Sequence, residues 1–190
     1  MSNKKRLLSI LIISFVVVIL VGLLLIICPV SGNMVGLQND GICFEMNKIQ
    51  VILKKGIPVK KEYFSEDLTM HYLYNEKLYG HKCDVDYGFI KDFWFYSLSD
   101  VGATIYVADL NKKDSERLFE QICNDTKKVY EKKEGYYNES INEYESVYGN
   151  KSWLIKECKF GTNTGATGES VLIEWNKTDN EIDINIDSLF

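Results

Sequence analysis

The run from Leu7 to Cys28 constrains this chain more than any other stretch. It holds 22 residues without an Asp, Glu, Lys or Arg and sits directly behind Lys4-Lys5-Arg6. Coiled as an α-helix it reaches about 33 Å, enough for a hydrocarbon core of roughly 30 Å. A helix satisfies every backbone group internally, which lipid demands. Pro29 supplies a stop, because its ring removes a donor and disfavours helix at the residue before it. The flanking cations place the N-terminus in the cytoplasm and the bulk of the chain outside, by the positive-inside rule. The expected organisation is a cytoplasmic stub over 1–6, a transmembrane anchor over 7–28, a linker over 29–40 and an extracytoplasmic domain over 41–190. Two other readings stay open. A cleaved signal peptide has a shorter apolar core, although Val30-Ser31-Gly32 offers small residues for a cut. Lipidation at Cys28 calls for a small residue before it, where Ile27 stands.

Charge narrows the class of partner. All 27 acidic residues lie beyond the apolar run while three of the 22 basic ones precede it, so the remainder carries 19 basic against 27 acidic groups, a net of −8. That sign argues against nucleic acid, which demands a basic footprint, and leaves the lipid bilayer as a partner for residues 7–28 alone. With 12 Tyr, 9 Phe and 3 Trp the domain has ample material for a packed core.

Cys43, Cys83, Cys123 and Cys158 follow the anchor at wide separations, with no C-x-x-C pair to suggest zinc or thioredoxin-type chemistry. Outside the cytosol their natural reading is disulfides. Buried free thiols are the competing one, since free cysteine packs as a small hydrophobe.

Periodicity supplies the elements. Ile42, Met46, Ile49 and Leu53 fall at helical spacing, with Asn39 or Asp40 as cap and Gly56 and Pro58 as closure. From Leu68 the period becomes two. Met70, Tyr72 and Tyr74 share a face, Asn75-Glu76 suits a turn, and His81, Cys83, Val85 and Tyr87 alternate with Lys82, Asp84 and Asp86. Strands over Phe93–Leu98 and Ala103–Val107 complete an antiparallel sheet. Asp114 to Lys133 reads as an amphipathic helix with Leu118, Ile122 and Val129 on its stripe, flanked by Phe119, Cys123, Thr126 and Tyr130. Residues 138–149 permit a helical turn or two. Strands over Ser152–Phe160, Ser170–Asn176 and Glu181–Asp187 follow.

The fold class expected is thus α+β, with a transmembrane helix ahead of helices packed on antiparallel sheet. The order helix, strands, helix, strands suggests two tandem halves, 41–110 and 111–190. Each half carries one cysteine on its helix and one on its sheet, so Cys43–Cys83 and Cys123–Cys158 are the pairings to test first.

The stretch Met46 to Pro58, ending Lys-Gly-Ile-Pro, is followed by Leu73-Tyr74, Tyr79-Gly80 and Cys83-Asp84-Val85-Asp86-Tyr87-Gly88-Phe89. With the long helix, Trp153 and the closing Val171–Trp175 and Ile182–Ile186 strands, it resembles the β-lactamase-inhibitor-protein-like or small-protein-A-like bacterial envelope proteins. The resemblance covers most of residues 42 to 187. It implies a helical segment on antiparallel sheet, often in tandem, and non-catalytic binding or envelope assembly. It transfers no functional residue. The chain departs from the pattern in a Tyr/Glu-rich insert after the second helix and in lacking a lipobox.

Candidate chemistry is sparse. His81-x-Cys83 shares a strand face from which Asp84 and Asp86 point away, so the four do not converge on a metal. Gly161 to Gly168 is glycine-rich but lacks the lysine and the following helix of a phosphate loop. Asp183-Ile-Asn185-Ile-Asp187 begins like a calcium loop, yet Ser188 stands where the turn glycine belongs. No cofactor and no metal follow from these residues. Phe93-Trp94-Phe95-Tyr96 reads as core, and Asn124, Asn138, Asn150 and Asn176 head glycosylation sequons that matter only in a eukaryotic secretory pathway.

The function expected is non-enzymatic: a membrane-anchored protein binding an extracytoplasmic protein or cell-envelope component, with Tyr136, Tyr137 and Tyr144 as interaction surface. An extracytoplasmic hydrolase is the alternative and requires His71 or His81 beside a carboxylate in a cleft. A structural subunit of a membrane complex is the third reading.

Overall fold

The computed structural model describes residues 10–20, 22, 41–65, 68–92, 95–139, 141–148, 151–163 and 168–189. The chain divides into two units, Met1–Ser31 and Gly32–Phe190. In the first, residues 10–20 form helix α1, whose apolar side chains are uncovered, Phe15 and Val18 to 67% each. Among the described residues no helix is long and apolar enough to cross a membrane, which corrects the transmembrane helix expected over 7–28. The rest of that stretch, Gly22 apart, lies outside the described residues, as does all of the 29–40 linker.

The second unit is sheet-dominated, with strand covering 53% of the described residues. Its elements are α2 (Lys48–Lys55), β1 (Lys60–Phe64), β2 (Thr69–Leu78), β3 (His81–Asp92), β4 (Phe95–Tyr106), α3 (Lys112–Tyr130), β5 (Tyr136–Asn138), β6 (Asn142–Tyr148), β7 (Lys151–Asn163), β8 (Gly168–Asn176) and β9 (Glu181–Leu189). All nine strands belong to one antiparallel sheet in the order β1-β2-β3-β4-β9-β8-β7-β5, with β6 also pairing β7. Two tandem halves are therefore corrected to one continuous sheet. The last strand, β9, lies between β4 and β8 and joins what element order had suggested were separate modules.

Local sequence explains the hinges of this topology. Tyr79 and Gly80 both take positive φ, 52° and 85°, and Leu78 pairs with His81. That is a two-residue type I′ turn, whose twist matches the strands it joins. Asn75-Glu76, expected as a turn, instead continues β2. At the other hairpin Asn176 Oδ1 accepts the amides of Thr178 and Asp179, and Asn180 takes φ 57°.

Both helices cover the same face of the sheet. Asn47 caps α2 by accepting the Ile49 and Gln50 amides while the Gln50 side chain accepts the Asn47 amide, a reciprocal box. This cap starts the helix later than the expected Asn39 or Asp40, so Gln50 and Val51 are its buried positions and Ile49 and Leu53 face solvent. Lys55 reaches Glu76 at 2.8 Å and Gly56 accepts the Tyr74 hydroxyl, fastening α2 to β2. Asn111 caps α3, which buries Ser115, Leu118, Phe119, Ile122, Cys123, Thr126 and Tyr130 and leaves Val129 outside the stripe. Beneath the helices lie Val85, Tyr87, Phe89, Val101, Ile105, Phe160, Ile173, Trp175 and Ile184, all nearly solvent-free. Residues 138–149, expected to allow a helical turn, hold the last residue of β5 and the whole of β6 instead.

Candidate binding surface

Strand alternation sends every second side chain to the face that α2 and α3 leave uncovered. On the four central strands β3, β4, β9 and β8 these positions include Asp84, Asp86, Asp100, Asp183, Asp187 and Glu174. Lys82, at the rim, is the only Lys or Arg among the described residues on that face of those strands. The carboxylates are ordered by neutral donors. Tyr106 donates to Asp84 at 2.9 Å, Thr104 to Asp183 at 2.6 Å and Tyr144 to Glu174 at 3.0 Å. A hydroxyl fixes a carboxylate without cancelling its charge, so the face keeps its negative field.

A denser site sits within it. Register places His71, Gly88, Asp100 and Asp187 in one row across β2, β3, β4 and β9. A bulge inserts Ser99 opposite the Gly88/Phe89 step, and the Ser99 hydroxyl donates to the Gly88 carbonyl at 3.2 Å. Such bulges re-aim the neighbouring side chain. Here Asp100 leans over Gly88, where a Cβ would lie 1.5 Å from the carboxylate, so only glycine leaves the room. His71 Nδ1 stands 2.8 Å from Asp86 Oδ2, with the Phe64 ring edge-on to the imidazole at 5.2 Å. Asp86 Oδ1 is buried and has no hydrogen-bond partner among the described residues.

Crowding shows in the acidities. Burial, opposed by His71 and reinforced by Asp86 and Asp187, pushes the Asp100 carboxyl up, although the Gly88 amide donates to it. Burial also raises Asp187, and burial with Asp183 and Asp179 raises Glu181. A buried acceptor with no donor beside carboxylates that resist ionisation is a site short of positive charge.

The other expected residues fall as follows. His81 lines a groove of about 420 Å³ with Lys77, Lys82, Tyr106 and Asp109. Cys83 lines a neighbouring one of about 540 Å³, its thiol pushed up to about 11, chiefly by burial. A thiol so strongly protonated is a poor nucleophile. His71 does meet a carboxylate, but on an open sheet face with no hydroxyl or thiol nucleophile described in contact with it. Tyr137 and Tyr144 lie on the uncovered face and Tyr136 on the helix side, so the expected tyrosine surface is split by the sheet. Phe93 and Trp94 lie outside the described residues.

All four cysteines of the domain are buried free thiols. Cys123 and Cys158 hydrogen-bond each other. Cys43 sits near the Leu98 end of β4, through Glu45, whereas Cys83 pairs with Ile105 toward the other end, so those two are not brought together. Sequence reasoning missed Asp100 and met Asp187 only as the end of the calcium-like run from Asp183, since no local motif links the two. No family model, curated protein or solved structure matches this chain.

Proposed function

We propose that this is a non-catalytic binding protein of the cell envelope, associated with a membrane, whose uncovered sheet face docks a cationic segment of an extracytoplasmic protein. The carrying observation is the contrast in neutralisation: Asp84, Asp183 and Glu174 of the uncovered face are bonded to hydroxyls, and one buried oxygen of Asp86 has no donor among the described residues. Lysine or arginine side chains of a partner supply both the charge and the donor. A guanidinium, with its planar fork of donors, suits the Asp86–Asp100 pair best. The hydrolase alternative draws less support, because His71, which meets Asp86, lies outside both grooves, and His81, in a groove with Asp109, has no hydrogen bond or ion pair to a carboxylate among the described residues.

The test is binding of a lysine/arginine-rich peptide to the full chain in mild detergent, followed by fluorescence anisotropy across a salt series. Affinity is expected to fall steeply with salt and to drop at least tenfold in the triple variant Asp100→Asn, Asp183→Asn, Asp187→Asn. Glu116→Gln with Glu120→Gln, on the helix side, is the control and is expected to leave binding unchanged. Equal losses in both variants would refute the assignment. Recovery of the chain in the membrane pellet after alkaline carbonate washing checks the attachment.

A further inference from the structure

Helix α3 lies along β7 and β8 in a register fixed by contacts at both ends of their shared interface. At one end Lys156 bonds Glu116 at 2.9 Å and Glu120 at 3.5 Å, while Phe119 meets Trp175 at 6.3 Å. At the other, Lys127 stands 5.9 Å over the Phe160 ring and Tyr130 packs edge-on against it at 5.5 Å. Cys123 lies between Phe119 and Lys127 on the helix, one turn from each. Cys158 lies between Lys156 and Phe160 on the same face of β7. The bracketing contacts leave these two thiols opposite each other, at 2% and 0% exposure.

We infer that Cys123 and Cys158 form a redox-convertible pair, a modification site at which a small-molecule disulfide oxidant installs a cystine tying α3 to β7. Cys158 is the attacking sulfur. The hydrogen bond from Cys123, and Lys127 beside it, hold its pKa below that of a free thiol, while that of Cys123 is pushed up. In the first step the Cys158 thiolate attacks one sulfur of glutathione disulfide and expels a glutathione thiolate. In the second, Cys123 loses its proton and attacks the Cys158 sulfur, expelling the other glutathione. The protein gives up two electrons and two thiol protons, and one disulfide becomes two thiols. Cys43 and Cys83 stand toward opposite ends of β4 and stay reduced.

Burial restricts access in the folded state, so the experiment refolds the full chain. The protein is unfolded in urea and refolded in mild detergent against a glutathione/glutathione disulfide buffer. It is then alkylated and mapped by peptide mass spectrometry. The expected result is a Cys123–Cys158 cystine at least tenfold in excess of any other pairing, with Cys43 and Cys83 alkylated. It disappears in Cys158→Ala and persists in Cys43→Ala and Cys83→Ala. A second reading is the thermal midpoint, expected to rise on oxidation in the parent chain and to stay put in Cys158→Ala. Alkylated Cys123 and Cys158 after refolding, or a scrambled mixture of pairs, would overturn the inference. Neither outcome depends on what the acidic face binds.

Discussion

The two faces of the sheet use the same kinds of charge in opposite ways. Toward the helices, acids are paired with lysines: Glu76 with Lys55, Glu169 with Lys133, Glu116 and Glu120 with Lys156, and Glu143 with Lys177. Several of those lysines also lay their charge over aromatic rings, Lys133 on Tyr130 at 4.1 Å and Lys177 on Trp175 at 5.3 Å. On the uncovered face Asp84, Asp183 and Glu174 have hydroxyl donors and Asp86 a histidine. A charge buried beside a core must be paired to be tolerated, whereas an exposed one can be left for a partner. The difference teaches that the first face is organised for stability and the second retains a repulsion that stability alone would remove.

Three substitutions press on that contrast. The largest effect belongs to Trp175→Ala, which empties the centre of the covered face. Truncating a buried aromatic costs about 3–5 kcal/mol, so urea unfolding of the variant is expected to show a loss of that size. A loss under about 1 kcal/mol would mean that the helix-covered layer is not the core. Next comes Lys133→Met, which leaves the Glu169 carboxylate, 2% exposed, without its cation. Breaking such a pair from one side costs about 3 kcal/mol. Equilibrium denaturation at neutral pH measures it, and Glu169→Gln in the same background is expected to restore part of the deficit.

The smallest effect has the opposite sign. Because the Asp100 carboxyl is raised, the folded chain holds that proton more tightly than the unfolded chain. Its contribution to stability therefore falls as pH climbs from the ordinary carboxylate range through the raised value, and returns as pH drops. Asp100→Asn keeps an acceptor for the Gly88 amide and removes the charge. It is expected to stabilise the protein at neutral pH by about 0.5 kcal/mol and to converge with the parent in acid. A variant less stable than the parent at neutral pH would show that the charge is needed by the fold rather than reserved for a ligand.

What was legible in the chain was whatever a local period carries. Cys83, Val85 and Tyr87 point inward and Asp84 and Asp86 outward as their alternation says, and Phe119, Cys123, Thr126 and Tyr130 form the inner stripe of α3. Strand β6 escaped because it runs along the sheet edge with nearly every side chain exposed, so no alternation marks it. The union of β4 with β9 escaped because pairing between distant segments leaves no local trace. The pairing of Asp100 with Asp187 was lost with it. His71 and Asp86 hung on one turn. Once Tyr79-Gly80 is read as the hairpin loop, the pairing Leu78↔His81 puts His71 opposite Gly88 and one diagonal step from Asp86. A turn at Asn75-Glu76 shifts that register and separates them.

The place of β9 has a kinetic consequence. Strands β1 to β4 pair with their sequence neighbours, as do β6 to β9, but β4 meets β9 between residues from Tyr106↔Glu181 to Asp100↔Asp187. Closing a loop of that length is entropically costly and slow, so two meanders form early and wait for one seam. A polypeptide emerging from a ribosome or threading a translocation pore completes that seam only once Asp187 is through. Until then each meander exposes a raw edge, and those edges are where a stalled or shortened chain would begin to aggregate.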